Sequence, residues 1–418
     1  MLMLDRRRFT LGASLTGALT LAGPRLMAAP SDEALTPITG DVAPITGEER
    51  LARIARAQER MRAQGMGAIL VEPGASLDYF TGVQWWRSER LTALVLPADG
   101  EPVIVTPFFE EPSVRESLKV PAEIRVWQEH EDPLALVAGI LADRKVAGKP
   151  VGIEETVRYF AVDGLRRALP GVEIRSANPV VRALRMIKSP AEIAIMRKAN
   201  EVTVAAYRHT WPRIEKGMTP ADIGAIMNAA TRALGGSPEF ALVLLGEASA
   251  YPHGTGKKQE VKEGEVVLMD CGCTVAGYQS DISRSFVFGE PTPEQRKVWT
   301  HMRQGQEIAM AAARVGVPAG RVDDAVRAQY EKWGYGPGYA LPGLSHRTGH
   351  GIGMEGHEPI NLVRGEETPL APGMCFSNEP GLYLPGRFGI RIEDCFYMTE
   401  AGPRWFSEPP PSIDRPFG

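Results

Sequence analysis

The chain has 418 residues, of which 44% are hydrophobic and 23% charged, with a formal net charge of −4. That length exceeds one core of ordinary size, so two domains are expected, and the composition is that of a soluble globular protein. No basic cluster and no aromatic-interleaved Arg/Lys stripe follows the first ten residues, which excludes a phosphate-backbone footprint and a nucleic-acid partner.

In chain order, Asp5-Arg6-Arg7-Arg8-Phe9-Thr10 precedes a mildly apolar stretch from Leu11 to Gly23 and the small residues Ala28 and Ala29. The order of charged, apolar and small regions resembles a twin-arginine export signal over residues 1–29, implying a periplasmic or secreted protein. The apolar stretch is too short and too rich in Gly, Ser and Thr for a stable membrane span. Residues 30–47 repeat Pro-Ile-Thr-Gly without helical or strand periodicity and read as a linker. A capping box, Thr46 with Glu49, opens a helix that carries Leu51, Ile54 and Met61 and stops at Gly65. A strand at Ala68–Val71 follows, then a hairpin of Thr92–Leu96 and Val103–Thr106 about Asp99-Gly100, and helices over Leu134–Leu141 and Val157–Leu169. Residues 48–186 are thus expected to form an α/β domain.

The second domain, residues 187–407, begins sharply. Ser189-Pro190-Ala191-Glu192 combines an N-cap, a proline at the first helical position and a capping-box Glu; Thr219-Pro220-Ala221-Asp222 and Thr292-Pro293-Glu294-Gln295 repeat the device. A further helix is expected from Arg321 to Trp333, ended by Gly334. Helices alternating with hairpins predict an α+β domain with helices over one face of a curved antiparallel sheet. The Pro-rich tail, 408–418, is expected to lie extended on the surface.

Two acidic pairs stand out. Asp270 and Asp281 flank a turn-prone Val275–Gly277 stretch, and Glu379 and Glu393 flank Pro385-Gly386-Arg387. In hairpins each pair becomes near cross-strand partners, with Cβ atoms about 5 Å apart. Four carboxylates aimed at one point raise one another's pKa unless cations compensate, and two bridged divalent ions resolve the conflict. Cys271, Cys273, Cys375 and Cys395 sit close to these positions, but their spacing is not that of a thiolate zinc site. They read as small strand residues, with a Cys375–Cys395 disulfide left open.

The strings D-x10-D, HRTGHGIGMEGHE, NEPGLY and RIED, with IKSPAEIAIMRKA upstream and LDYFTG further upstream, resemble the motifs of the pita-bread metallopeptidases, the group of methionine aminopeptidase, aminopeptidase P and prolidase. The resemblance spans residues 48 to 405 and favours the prolidase and aminopeptidase P branch, with a creatinase-like N-terminal domain in which LDYFTG ends a strand. It implies that Asp270, Asp281, His350, Glu379 and Glu393 hold two divalent ions. Manganese suits the oxygen-rich set, with cobalt, zinc and iron open. Glu379 would also shuttle a proton, His253 and His357 would hold the substrate carbonyl and the tetrahedral intermediate, and Arg391 would orient the carboxylates. His346 and Tyr383 are candidates for the substrate pocket, with a structural hydrogen bond beneath the ligands equally open for His346. The implied substrate is a di- or oligopeptide with proline second, leaving dipeptidase against aminopeptidase open. A homodimer is expected by analogy, with Trp85 and Trp86 either reaching a neighbouring subunit or simply packing. A creatinase-like hydrolase or lyase of a small molecule, and a non-catalytic binding module, are the alternatives.

Overall fold

The computed structural model describes residues 34–417, so the expected export signal lies outside the described residues. Residues 34–46 form no helix or strand, yet they are anchored: Ile45 is buried among the second domain's helices, and the Ile38 amide donates to the Leu234 carbonyl at 2.9 Å.

The first domain is a six-stranded mixed sheet built from β1 (Ala68–Val71), β2 (Ala93–Pro97), β3 (Val103–Pro107), β4 (Glu123–Trp127), β5 (Val151–Ile153) and β6 (Ile174–Ser176). Its spatial order is β4-β3-β2-β1-β5-β6. Strand alternation divides its side chains between two cores. Ile69, Val71, Leu94 and Leu96 meet α1 (Gly47–Ala63), α2 (Ala75–Thr81) and α3 (Glu111–Ser117) on one face. Ala68, Leu70, Ala93 and Val95 meet α4 (Pro133–Asp143) and α5 (Tyr159–Ala168) on the other. The expected hairpin and helices are present, and Gly100 supplies the left-handed turn residue at φ 96°. One expectation fails here: LDYFTG is not a strand end, because Leu77–Thr81 lies in α2, which Gly82 terminates at φ 80°. The Thr46 cap is half formed. Its hydroxyl accepts from the Glu49 amide, but the Glu49 carboxylate turns away to Arg53 and the Ser189 hydroxyl.

A short helix, α6 (Val181–Arg185), leads into the second domain, where α7 (Pro190–Thr210), α8 (Pro220–Ala233) and α9 (Pro293–Ala312) all start on complete capping boxes. The fourth helix is α10 (Gly320–Lys332). One sheet has the order β10-β8-β7, with β7 (Ser237–Leu245), β8 (Val266–Val275), β9 (Tyr278–Gln279) continuing the β8 hairpin, and β10 (Ile282–Val287). The other has the order β12-β11-β13-β16-β17, using β11 (Gly349–Gly351), β12 (Glu358–Leu362), β13 (Cys375–Asn378), β16 (Asp394–Thr399) and β17 (Gly402–Trp405). Between them the ribbon β14 (Leu382–Leu384) and β15 (Phe388–Ile390) closes over Gly386. Reciprocal bonds between the Ser283 and Glu393 backbones, at 3.3 and 3.0 Å, stitch the sheets into one curved surface. Residues of α7 and α8 share one core with β8 and β10, and residues of α9 and α10 share another with β13 and β16.

The tail departs from expectation. Phe417 is buried against Tyr207, Trp211 and Phe286, Ile413 is buried too, and Arg208 donates to the Phe417 carbonyl. Its apolar residues outweigh its prolines. Among the described residues no helix is long and apolar enough to cross a membrane.

Candidate metal centre

The first acidic pair is carried by the β8–β10 hairpin, whose register differs from the sequence expectation. Val275 pairs with Tyr278, so the turn is two residues, Ala276 and Gly277, both at positive φ (46° and 85°). A two-residue hairpin turn requires left-handed backbone at both centre positions, and this choice shifts the pairing. Asp270 therefore faces Ser283 rather than Asp281, and Asp281 lies beyond the strand pair, two residues from Ser283 on the same side. The two aspartates still converge. The second acidic pair follows expectation more closely: Asn378 pairs with Asp394 and Leu382 with Ile390 in one common register, which sets Glu379 opposite Glu393.

Ligand atoms of Asp270, Asp281 and Glu393 lie within 4.8 Å of one another, as do those of His350, Glu379 and Glu393. His350 Nε2 stands 3.3 Å from Glu379 Oε1, 3.6 Å from Asp281 Oδ2 and 3.8 Å from Glu393 Oε1. Its other nitrogen, Nδ1, donates to the Gly351 carbonyl at 3.0 Å, which fixes the tautomer and leaves an Nε2 lone pair facing three carboxylate oxygens. Burial, with His357 and Arg347 nearby, holds this imidazole well below its usual pKa.

The acids are equally ill at ease. Burial, then the charges of Asp270 and Glu379, push Asp281 well above the carboxylate range; burial and Asp281 do the same to Glu393. Burial, offset in part by Arg391, lifts Glu379 to about 7. Glu393 Oε1 is buried without any hydrogen-bond partner. Oxygen lone pairs, one imidazole lone pair and an orphaned buried oxygen converging on one point are the donor set that hard or borderline divalent ions satisfy, so these residues fit a metal pair.

Beneath the carboxylates runs a polar support. Arg391, buried, donates to Asp270 Oδ2 at 2.6 Å, Ser283 Oγ at 2.9 Å, Tyr383 Oη at 3.1 Å and the Pro252 carbonyl at 3.2 Å. Desolvation opposes its charge, but Tyr383 and the carboxylates outweigh that and keep it protonated. The Ser283 hydroxyl sits between Asp270 Oδ1 at 2.8 Å and Glu393 Oε2 at 2.9 Å. His346 accepts at Nε2 from the Tyr383 hydroxyl at 2.8 Å and donates from Nδ1 to the Arg347 carbonyl; burial, with Arg391 nearby, lowers its pKa to about 3. It stays outside the donor cluster, with Nδ1 4.0 Å from Glu379 Oε2.

His357 is exposed at the mouth, its ring 4.2 Å from that of His350 and edge-on. His253 lies on the loop after Tyr251, exposed, at one end of a groove of 700 Å³ lined by Pro220, Gly224 and Asn228 of α8 and by β7. The Arg391–Pro252 bond ties that loop to the centre. All four cysteines are free and buried. Cys395 pairs with Ser377 and Cys375 with Tyr397, so the open disulfide is not formed.

Sequence reasoning missed Ser283, Ser377, whose hydroxyl accepts from the His350 amide at 3.1 Å, and Arg284, which clamps the Ser283 and Glu393 carbonyls while paired with buried Asp394 at 2.7 Å. The alternation Asp281, Ser283, Ser285 was the available signal for Ser283.

The model of metallopeptidase family M24 matches residues 194–400, and that of the creatinase/prolidase N-terminal domain matches residues 53–187. The chain is 36% identical over 355 residues to the probable dipeptidase PepE of Mycobacterium bovis, covering 84% of this chain and 92% of that one. It is 29% identical over 352 residues to the Xaa-Pro dipeptidase of Lactobacillus delbrueckii subsp. lactis, covering 82% and 94%. The crystal structure of dipeptidase PepE from Mycobacterium ulcerans superposes with a TM-score of 0.81 at 33% identity, over 88% of this chain and 98% of that one.

Proposed function

Because the chain belongs to metallopeptidase family M24 and carries a creatinase/prolidase N-terminal domain, we propose that it hydrolyses the bond between an N-terminal residue and proline, as an Xaa-Pro dipeptidase or aminopeptidase. One observation carries the reading: the His350 Nε2 lone pair and the partnerless Glu393 Oε1 meet among four carboxylates, an arrangement that cations complete. Asp270, Asp281, His350, Glu379 and Glu393 would hold two divalent ions, with manganese our choice for so many oxygens. Such a pair, when bound, neutralises the carboxylates and lowers the pKa of a water nucleophile.

The chain's own groups do the rest. Glu379, a carboxylate beside the site of attack, takes the proton of the attacking water and passes it to the proline nitrogen as the C–N bond breaks. That nitrogen carries no hydrogen before cleavage, so it needs this proton to leave as an amine. His357 and His253, at the mouth, donate to the carbonyl oxygen as it gains charge. Arg391, through Asp270 and Ser283, keeps the carboxylates in place, while Tyr383 and His346 line the inner wall. The exposed Trp86, stacked on Trp85, supports a homodimer, and the Arg6-Arg7 segment supports twin-arginine export to a periplasmic or secreted location. Retention of all five donor residues weighs against a creatinase-like small-molecule enzyme and against a binding module.

The test is release of alanine from Ala-Pro, Ala-Pro-Gly and Ala-Gly, with metal content measured on the same sample. Proline-dependent release with bound metal is expected, and cleavage of Ala-Pro itself assigns the dipeptidase. Equal rates on Ala-Gly, or no stoichiometric metal after reloading, would overturn the proposal.

A further inference from the structure

The segment between the metal ligand His350 and His357 is not held by its own strand. After Gly351 the chain leaves β11 and runs through Gly353-Met354-Glu355-Gly356 before His357 and β12. Gln279 holds two of its carbonyls, the backbone amide donating to Gly353 at 2.8 Å and the side chain to Met354 at 3.4 Å, and the amides on its other side are held by the next side chain. Glu358, buried, folds back beneath the turn, and its Oε1 accepts the Met354 amide at 2.9 Å and the Glu355 amide at 3.3 Å. The same carboxylate is gripped by two cations from the junction between the domains: Lys188 Nζ reaches Oε2 at 2.8 Å and Arg185 Nη2 reaches Oε1 at 2.6 Å. Arg185 also pairs with Glu355 at 2.7 Å and donates to Ser76 Oγ at 2.9 Å, and Ser76 in turn donates to Glu154 at 3.0 Å. The cluster thus runs from the first domain's interior to the His357 turn.

Its packing leaves no slack. A Cβ at Gly353 would stand 2.7 Å from both Glu358 Oε2 and Lys188 Cε, so a larger residue there would push the two clamping side chains aside. Met354 packs against cores of both domains. Burying two cations and two anions is costly unless each finds its partners, and desolvation would raise the Glu358 pKa, yet Lys188 and Arg185 bring it to about 2. A cluster this expensive, placed one residue from a group at the mouth of the centre, calls for a role there.

We propose that Glu358, held by Lys188 and Arg185, is a positioning residue that fixes the 353–357 turn and so aims His357 at the scissile carbonyl. This rests on the peptidase reading above. The clamp makes the first domain part of the catalytic apparatus, because Arg185 belongs to α6 and Lys188 to the junction that follows it.

The experiment uses full-length, metal-loaded protein with E358Q, K188M and K188R, and two readouts. Amide hydrogen exchange in 353–357 should quicken about tenfold in E358Q and K188M while β13 stays protected, and K188R should restore protection. On whichever of Ala-Pro and Ala-Pro-Gly the wild type cleaves, kcat should fall about 10- to 100-fold in both with KM nearly unchanged, and E358Q should cost little more once His357→Ala is present. Unchanged exchange in the turn, or an E358Q loss that is undiminished in the H357A background, overturns the proposal. Should E358Q not fold, K188M and K188R decide alone. A wild type silent on both Ala-Pro and Ala-Pro-Gly sinks the peptidase reading, while exchange still decides whether the clamp holds the turn.

Discussion

Removing the ions should make stability depend on pH in a predictable sense. In the unmetallated centre Glu379 is displaced from its ordinary value of 4.5 to about 7, with burial the main cause, and Asp281 and Glu393 move the same way. A carboxylate whose folded pKa is raised stabilises the fold fully below its unfolded value and loses that contribution as pH rises through the folded one. The window therefore runs from about pH 4.5 to 7. For Glu379 alone the displacement corresponds to about 3 kcal/mol. In the metal-loaded protein the same groups are ionised and compensated, so the term is absent. His346 and His350, held neutral by burial in both forms, cancel from the comparison. With an unfolding entropy near 2 cal/mol/K per residue, 3 kcal/mol is about 4 °C in a chain of this length. Thermal melts of chelated and manganese-loaded protein at one scan rate, from pH 5 to pH 8, should show the gap in Tm widening by at least that amount. If the two curves run parallel, the carboxylates do not share the charge conflict described above.

Glu379→Gln should lower kcat by about 10²- to 10⁴-fold with saturating metal, leaving the Arg391–Tyr383–His346 chain intact; retention of more than a tenth of the wild-type rate removes its proton-transfer role. Phe417→Ala should cost about 3 kcal/mol in urea unfolding, since the ring is buried against Tyr207, Trp211 and Phe286. A change within 0.5 kcal/mol, the usual scatter for surface positions, would return the tail to the surface. Thiol titration of denatured, unreduced protein should count four thiols per chain, and a count of two would mean a disulfide the strand register does not allow.

Much of this molecule was legible before its structure. The capping boxes at Ser189, Thr219 and Thr292 form as read, because they are satisfied within one turn of helix. The cap at Thr46 is only half made, because Ser189 and Arg53, distant in sequence or on the next turn, compete for Glu49. LDYFTG misled because its strand end rests on a family resemblance, whereas Leu77–Thr81 buries every side chain within one short helix that Gly82 ends. The tail misled because proline content describes its backbone, while Ile413 and Phe417 decide where it lies.

The acidic residues, the histidine-rich turn and the two-domain division follow from the order of residue types, since alternation, caps and turn glycines act over a few neighbours. Tertiary structure alone decided which oxygen meets which. The two-residue turn at Ala276-Gly277 moved Asp270 opposite Ser283, and the seam between sheets put that hydroxyl against Glu393. It also brought Arg185 and Lys188 under Glu358, some 170 residues away. Register and cross-sheet contact depend on how separate elements pack, and local sequence carries no measure of that distance.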